Sequence, residues 1–409
     1  MPFSTGNFAL VDVDTNQKTT MKPSLSLRFA LLAAAALFTT HAAFAGKPPP
    51  PPQPSSGTLV LNLPSAENWG LAAAPSGRIF AVASVYADYP DWRQVVLSSS
   101  DTGSTWSVLD DFAPPGFHVE FWGGLGGGIA LDSTGSIYVS GLSYANDGIQ
   151  ADHWYVRRST DSGATWTTVD DFALATVGTG YDDVGVAADA AGNVYVSKAN
   201  GQVWTVRKGV GGTAFSTVDA LPNSLPKDIF VHPTDGIFVV GTSQVTIKNQ
   251  TSWAWLVRRS TDGGATWSNV DTYHLFSSYS AVAMGIGANA SGIYVVGRAN
   301  NANSSHWIVR KSANGGNAWT TVDDYQLVAD NSNQARCIAT DANGNLLVAG
   351  SGAGKWILRK SAGGTGPWTT VDVFQNFGFS TVPNAIAADA FGNVFVGGGY
   401  GVNWLIKRY

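Results

Sequence analysis

The chain has 409 residues, of which 44% are hydrophobic and 13% charged, and this is enough to build a large core. Its net charge is −5 without any run of Lys or Arg, which argues against nucleic acid or an anionic membrane as its partner. Of the 29 acidic residues only Glu67 and Glu120 are Glu, whereas Gly occurs 47 times and Trp 15 times. Because helix surfaces favour Glu and turns favour Asp and Gly, the composition predicts an all-β protein.

The amino-terminal segment is predicted to precede the folded domain. From Met21 the chain has a basic start, a short apolar run and an Ala-Phe-Ala triplet ending at Ala45, which is the pattern of a bacterial-type signal peptide. The apolar run is too short to span a bilayer, so we expect a secreted or periplasmic protein without a membrane span. The predicted divisions are a mis-assigned upstream extension (1–20), a signal peptide (21–45), a Pro-rich linker (46–55) and the folded domain (56–409).

Two signatures repeat along the folded domain, about every 50 residues. The first is an apolar strand, a turn ending in Gly and a second apolar strand, which together predict a β-hairpin. The second is W-x-[VL]-R-[RK], a polar turn and W-[TS]-x-V-D, which predict a third and a fourth strand. The turn glycines are Gly77, Gly135, Gly192, Gly236, Gly292, Gly344 and Gly392.

The two ends of the domain indicate how the repeats close. The last repeat stops after its third strand, at Asn403–Tyr409, and the segment from Thr58 to Asn62 fits the missing fourth strand. We therefore predict a seven-bladed β-propeller of four-stranded antiparallel blades, in which the amino-terminal strand completes the last blade. Such closure removes the unpaired strand edges that promote aggregation.

The turn between the third and fourth strands resembles a known motif. Ser99–Trp106 reads S-x-D-x-G-x-T-W and is similar to the Asp box of bacterial neuraminidase repeats, as are two further full copies and several degenerate ones in six of the seven blades. The resemblance implies a sialidase-like propeller in which the box is a structural turn on the face opposite the active site. The box residues of the full copies are Asp101, Gly103, Trp106, Asp161, Gly163, Trp166, Asp262, Gly264 and Trp267.

The resemblance to sialidases does not extend to their active site. That family uses three arginines, a Tyr nucleophile activated by Glu, an Asp acid and an F/Y-R-I-P motif. The nearest string here, Gly77–Phe80, lies in a predicted hairpin turn on the wrong face, and few arginines lie outside the repeats: Arg93, Arg298 and Arg336. The sequence therefore supports the fold without a recognisable sialidase site.

Repetition also separates structural residues from candidate site residues. The arginines that end the third strands recur, so we expect them to form structural ion pairs or stacks. Eleven tryptophans recur in third and fourth strands, whereas four do not and are assigned to connections on the face opposite the Asp boxes: Trp69, Trp92, Trp122 and Trp253. Exposed aromatics there would stack on sugars or contact a protein partner. Local loop packing is the alternative, and Trp92 also fits a shifted third-strand position.

Unrepeated polar residues supply the other candidates. Those at the starts of the first strands, at the mouth of the central channel, are Asn68, Asp183, Lys227, Asp228, Arg336 and Asn384, and they predict a polar pocket or a solvated rim. His274 and Tyr279 in one connection are further ligand candidates. The candidate catalytic groups are His118, Glu120, Tyr181 and Asp183. For the segment that contains the first two, a loop held by its own aromatics is the favoured interpretation, and a site is the alternative.

Three functions remain open at this point. The favoured one is a secreted propeller that binds a glycan or an extracellular protein without catalysis. The first alternative is a polysaccharide-active enzyme, either a glycosidase or a lyase. The second is an assembly or scaffold factor, since Asp-box propellers include a photosystem assembly factor that this chain resembles in blade number. No metal cluster or cofactor motif is recognised, so no metal or cofactor is expected, and Cys337 is predicted to be a buried structural thiol.

Overall fold

A computed structural model describes the protein at residues 57–64, 66–88, 91–113, 128–143, 152–174, 184–247, 249–375, 380–400 and 403–409. These residues form 28 β-strands and one short 3₁₀ turn, Ala362–Gly364. The strands assemble into seven antiparallel sheets of four, which confirms the predicted seven-bladed propeller. Within the described ranges, no helix has the length and apolar character needed to cross a bilayer.

The strands follow one another in chain order within six of the blades. Blades 1 to 3 contain β2 (Ala66–Ala73), β3 (Ile79–Asp88), β4 (Asp91–Ser99), β5 (Ser107–Phe112); β6 (Ile129–Leu131), β7 (Ile137–Ser143), β8 (His153–Ser159), β9 (Thr167–Ala173); and β10 (Gly185–Ala188), β11 (Val194–Asn200), β12 (Val203–Val210), β13 (Thr213–Pro222). Blades 4 to 6 contain β14 (Ser224–His232), β15 (Gly236–Ile247), β16 (Gln250–Ser260), β17 (Ser268–Tyr273); β18 (Ala281–Asn289), β19 (Gly292–Asn300), β20 (Ser305–Ser312), β21 (Thr320–Tyr325); and β22 (Asn333–Thr340), β23 (Leu346–Gly352), β24 (Lys355–Ser361), β25 (Trp368–Phe374).

Blade 7 joins the two ends of the chain. It contains β26 (Thr381–Ala388), β27 (Val394–Tyr400), β28 (Asn403–Arg408) and, as its outermost strand, β1 (Thr58–Pro64). Strand β1 runs antiparallel to β28, with Leu61 opposite Ile406 and Leu63 opposite Trp404. The predicted closure by the amino-terminal strand is therefore present in the fold.

The first strand of each blade lines the centre of the ring. Each of these strands contacts the first strand of the next blade, and β26 of blade 7 contacts β2 of blade 1. The turn glycine after each first strand has a positive φ, between 77° and 144°, as expected for the predicted hairpins. The seven first strands thus form a closed wall around a central channel.

Buried tryptophans fill the space between neighbouring blades. The six that recur in third strands are fully buried: Trp154, Trp204, Trp255, Trp307, Trp356 and Trp404. Trp255 packs on Gly297 of the next blade, where a Cβ atom would lie 2.6 Å from its Cζ3 and 2.1 Å from the Val282 carbonyl oxygen. A glycine is required there because any side chain would collide with backbone.

The recurrent cations connect each blade to the one before it. Arg258 on β16 makes a two-pronged ion pair with Asp219 on β13, with both nitrogen–oxygen distances at 2.8 Å and both side chains about nine-tenths buried. In most junctions an aromatic ring also lies under the cation, as Phe172 does under Arg207. The full set is Arg157–Asp110, Arg207–Asp170, Arg258–Asp219, Arg310–Asp271, Arg359–Asp323 and Lys407–Asp372. The structural role predicted for these arginines is confirmed.

The S-x-D-x-G-x-T-W turns are held by their own side chains. In blade 4, Oδ1 of Asp262 accepts the Thr266 N–H at 2.8 Å, and Oδ2 accepts the Thr266 hydroxyl at 2.6 Å. The Ser260 hydroxyl donates to Asp262 and accepts the Gly264 N–H, both at 2.8 Å. These bonds lower the pKa of Asp262 to about 2, with the Thr266 hydroxyl as the largest cause. The turn residues are thus engaged in local structure.

Candidate functional site

A cavity of about 180 Å³ lies in the central channel, against the middle of the first strands. All seven blades contribute to its wall, mostly through small or aliphatic residues such as Gly70, Ile129 and Val186. Among the described residues, its charged and amide side chains lie on blades 4, 6 and 7: Lys227, Asp228, Arg336 and Asn384. The structure thus brings together four of the residues that the sequence assigned to the channel mouth. We call this space the channel cavity.

Bulges in the first strands determine which side chains reach the channel cavity. In five blades the first strand skips one residue in its pairing with the second strand, and the residues at these bulges are Trp69, Lys227, Met284, Arg336 and Asn384. The last four line the cavity. A bulge inserts one unpaired residue and redirects its side chain. The unrepeated residues at these positions are therefore presented to the channel by a repeated backbone feature.

The Asp228 carboxylate connects two blades. Its Oδ1 accepts the Ile229 N–H of its own strand at 2.8 Å, and its Oδ2 accepts the Ile286 N–H of blade 5 at 3.0 Å. Blade 5 has Gly285 and blade 6 has Cys337 at the position that follows the bulge, where blade 4 has Asp228. The two hydrogen bonds from the Ile229 and Ile286 N–H groups give Asp228 a structural role in addition to its position in the cavity wall.

Two unrepeated arginines lie on contacting strands of blades 5 and 6. Arg336 lines the channel cavity from β22, whereas Arg298 on β19 pairs with Val282 on β18 and does not line the cavity. Burial, and then the positive charge of Arg336, lower the pKa of Arg298 below its usual value. The Nε atom of Arg298 is buried and has no hydrogen-bond partner among the described residues. Arg298 is therefore a half-buried cation on a strand that contacts β22.

Asn384 and Cys337 complete the polar wall. The Oδ1 atom of Asn384 is buried and has no hydrogen-bond partner within the described residues, so it is an acceptor directed to the cavity region. Burial raises the pKa of the Cys337 thiol to about 12, and its sulfur lies 3.9 Å from the Ala349 carbonyl oxygen. A protonated thiol is a weak nucleophile, but Cys337 is only partly buried and lines the channel cavity, whereas we predicted a buried thiol.

Two of the unrepeated tryptophans lie in strands and not, as we expected, in connections: Trp69 belongs to β2 and Trp253 to β16. Trp92 lies in β4, the third strand of blade 1, which is the alternative position that the sequence offered for it. The prediction was wrong because several strands continue beyond the repeated pattern, as in the long β15–β16 hairpin, where Trp253 pairs with Gln244. Trp253 is half-buried.

His274 and Tyr279 lie together in the connection between β17 and β18. Nδ1 of His274 is 3.0 Å from the Tyr279 carbonyl oxygen, and Nε2 is buried without a partner among the described residues. Tyr279 is 39% exposed and the nearby Phe276 is 52% exposed. Neither His274 nor Tyr279 lines the channel cavity, so these two candidates form a separate exposed group on the connection.

The remaining candidates lie outside the described residues. They are His118, Glu120, Trp122, Tyr181 and Asp183. Among the residues that are described, no group of three His, Cys, Asp or Glu side chains has an arrangement that would hold a metal ion.

Met284 was not recognised as a site residue from the sequence. Aligned on the turn glycines, the first strands show a column of unlike residues eight positions earlier, which includes Met284, Arg336 and Asn384. In blade 4 the corresponding residue, Lys227, lies nine positions before its glycine. This variable column within a regular repeat is the signal that marks the bulged positions.

Comparisons with known proteins identify relatives by fold and by a short stretch of sequence. No known protein-family profile matches the chain. A xyloglucanase from a Paenibacillus species is 28% identical over 206 residues, which cover 44% of this chain and 18% of the xyloglucanase. The chain therefore matches less than a fifth of that relative's length.

Solved structures of an ulvan lyase of polysaccharide lyase family 25 share the fold. A complex of this lyase with -[GlcA(1-4)Rha3S]- has a TM-score of 0.54 at 13% identity, covering 82% of this chain and 90% of the lyase. A second structure of the lyase has a TM-score of 0.53 at 13% identity, covering 85% and 94% of the two chains. At 13% identity, the similarity between this chain and the lyase shows a shared fold.

Proposed function

We propose that this protein is an exported propeller that binds a glycan in the channel cavity. The observation that carries the proposal is that bulges present three unlike polar side chains, Lys227, Arg336 and Asn384, to one cavity in an otherwise repetitive ring. Sugar hydroxyls donate and accept hydrogen bonds, and the buried Oδ1 of Asn384 and the cationic side chains offer both kinds of partner. The signal-like segment 21–45 supports export.

The comparisons agree with a carbohydrate ligand. A relative that shares sequence with this chain is a xyloglucanase, and solved structures of a polysaccharide lyase share its fold. Trp253 on the long hairpin of blade 4, with Tyr279 and His274 on the neighbouring connection, would extend the contact beyond the cavity by stacking on sugar rings.

A glycan array followed by isothermal titration calorimetry tests this proposal. Lys227→Ala and Asn384→Ala are each expected to weaken binding by about three- to tenfold, the effect of losing one hydrogen bond to the ligand. Val210→Ala is the matched control, because Val210 is 59% exposed and does not line the cavity. If no glycan binds, or if the control weakens binding as much as the cavity variants, the proposal fails.

A polysaccharide-active enzyme is the second candidate, and the sequence match to a xyloglucanase favours it. The cavity carboxylate among the described residues is Asp228, whose two oxygens accept backbone N–H groups, so catalysis would depend on groups such as Glu120 and His118. Incubation with xyloglucan and with a uronic acid polymer, followed by analysis of released ends, tests it. Turnover that is lost in Glu120→Gln or His118→Ala would replace the binding proposal with an enzymatic one.

A further inference from the structure

We infer that the connection between blades 4 and 5 forms a second sugar-binding surface, separate from the channel cavity, and that it takes an uncharged stretch of a polysaccharide chain. The surface consists of residues 274–280 and of the neighbouring turn 300–305, and we call it the blade 5 rim. This inference rests on the proposed glycan-binding function, and it specifies where a second contact lies and which chemical class of sugar it accepts.

The blade 5 rim is one continuous surface beside the long hairpin of blade 4. Its two segments meet at Ser280, whose carbonyl oxygen accepts the Asn300 N–H and whose hydroxyl accepts the Asn300 side-chain N–H, both at 2.9 Å. The hydroxyl of Thr242 in the hairpin lies 2.9 Å from the Ala254 carbonyl oxygen and 3.1 Å from the Ala281 carbonyl oxygen. The end of the hairpin therefore borders the rim.

Three aromatic side chains lie in the rim or at its border. Phe276 is 52% exposed and Tyr279 is 39% exposed. Trp253 lies in the hairpin and is half-buried. Because side chains alternate along a strand, Trp253 is on the same face of β16 as Trp255, which packs on Gly297 of blade 5. The hairpin and the rim thus present aromatic rings on the same side, and such rings stack on the apolar faces of sugars.

The blade 5 rim contains no charged residue. Segments 274–280 and 300–305 lack Asp, Glu, Lys and Arg, and their polar side chains are hydroxyls, amides and the His274 imidazole. Lys248, at the turn of the bordering hairpin, lies outside the described residues. A charged group on a ligand would lose water at the rim without gaining an opposite charge. The rim therefore favours an uncharged sugar over a uronate or an amino sugar.

Two acceptor atoms of the rim complement sugar hydroxyl groups. Nδ1 of His274 lies 3.0 Å from the Tyr279 carbonyl oxygen, so in the neutral imidazole Nδ1 carries the proton and Nε2 is an acceptor. Neither this Nε2 nor Oδ1 of Asn300 has a hydrogen-bond partner among the described residues. Both residues are half-buried, so part of each lies at the surface. A hydroxyl donor would satisfy such an acceptor, whereas a carboxylate would be repelled by it.

The next connection along the chain shows that the rim side chains are not needed to join two blades. Segment 326–332, between blades 5 and 6, has the same length as 274–280 and the same succession of bends and turns. The residues at equivalent positions are His274 and Gln326, Phe276 and Val328, and Tyr279 and Asn331. Substitutions that copy the second connection should therefore remove the rim groups and preserve the fold.

The test uses titration calorimetry with uncharged oligosaccharides of xyloglucan and arabinan, a glucuronate-containing oligosaccharide and a chitosan oligosaccharide. Tyr279→Asn is expected to weaken binding of at least one uncharged oligosaccharide about tenfold, and Phe276→Val about threefold, through lost stacking. The losses should be equal at low and high salt, because no ion pair is removed. Phe391→Val is the matched control, since Phe391 is 72% exposed in the β26–β27 turn, at the opposite end of the blades.

The outcomes separate this inference from the proposed function. If the rim variants bind like the wild type while Lys227→Ala is weakened, the rim is refuted and the cavity proposal stands. If only the rim variants are weakened, the rim is supported and the cavity proposal fails, whereas binding of no oligosaccharide refutes both. Losses confined to the glucuronate or chitosan oligosaccharide overturn the uncharged class. If Tyr279→Asn does not fold, as judged by circular dichroism, Phe276→Val decides the question.

Discussion

Leu61 on β1 and Leu97 on β4 occupy, at the junction of blades 7 and 1, the positions that an Asp and a cation occupy at the six other junctions. In blade 7, Leu61 on the fourth strand lies opposite Ile406 on the third strand. Asp372 has the equivalent position in blade 6, where it lies opposite Leu358. Both leucines are buried and belong to one apolar cluster. The junction that closes the ring is therefore stabilised by apolar packing, which does not require two charges to be removed from water.

This difference predicts how the charged junctions respond to substitution. Asp219→Leu should leave Arg258 buried without its carboxylate and lower the free energy of unfolding by about 3–5 kcal/mol. The double variant Asp219→Leu with Arg258→Leu copies the closing junction and should recover most of that loss. Urea denaturation of the three proteins measures it. A double variant as unstable as Asp219→Leu alone would show that the pair itself, and not the unpaired charge, determines stability there.

The converse substitution is expected to weaken ring closure. Leu61→Asp places a carboxylate among apolar side chains, and it should lower the free energy of unfolding by about 3–5 kcal/mol at pH 7. Adding Leu97→Arg supplies the missing partner and should restore part of the stability. Thermal unfolding is the measurement, and Leu59→Asp on the same strand is the control because Leu59 is 52% exposed. Equal losses for Leu61→Asp and Leu59→Asp would contradict the role of the apolar junction.

The turns with low-pKa Asp residues predict a loss of stability in acid. The pKa values of Asp101, Asp161 and Asp262 fall from 3.8 to about 2 in the folded protein, chiefly through hydrogen bonds from Thr hydroxyls. Because the folded values lie below the ordinary one, their stabilisation is present above about pH 4 and is lost as the pH falls towards 2. The unfolding midpoint should therefore fall over this range.

Blade 5 provides a natural control for this acid dependence. There Asn314 accepts the Ala318 N–H at 2.9 Å and the Ser312 hydroxyl at 2.9 Å, so a side chain that does not titrate holds the same turn. Asp262→Asn with Thr266→Ala converts the blade 4 turn to this form and should reduce the drop in unfolding temperature between pH 5 and pH 2.5. An unchanged drop would mean that Asp262 does not contribute to it.

The Cys337 thiol is expected to be unreactive in the folded protein. Because burial raises its pKa to about 12, it stays protonated at pH 8, and the thiolate is the reactive form. A disulfide reagent such as dithionitrobenzoate should label it slowly in buffer and rapidly, to one equivalent, in guanidinium chloride. Rapid labelling of the native protein would instead indicate that the channel cavity exposes a reactive thiolate.

The sequence by itself determined the blades, their number and the closure of the ring. Each of these depends on short-range patterns, such as a turn glycine at positive φ or a Trp in a third strand, and repetition makes such patterns visible in one chain. The recurrent arginines, including Arg258, were likewise recognisable as structural because they return at the same point of five of the seven repeats.

Only the tertiary structure decided which side chains face the channel and which meet across blades. A bulge exists only relative to a pairing partner, so the presentation of Lys227 and Arg336 to one cavity does not follow from either strand alone. Leu61 and Leu97 lie on different blades, and the ring brings them together in one apolar cluster. Proximity between residues distant in sequence is set by how the sheets pack around the channel, which local residue patterns do not encode.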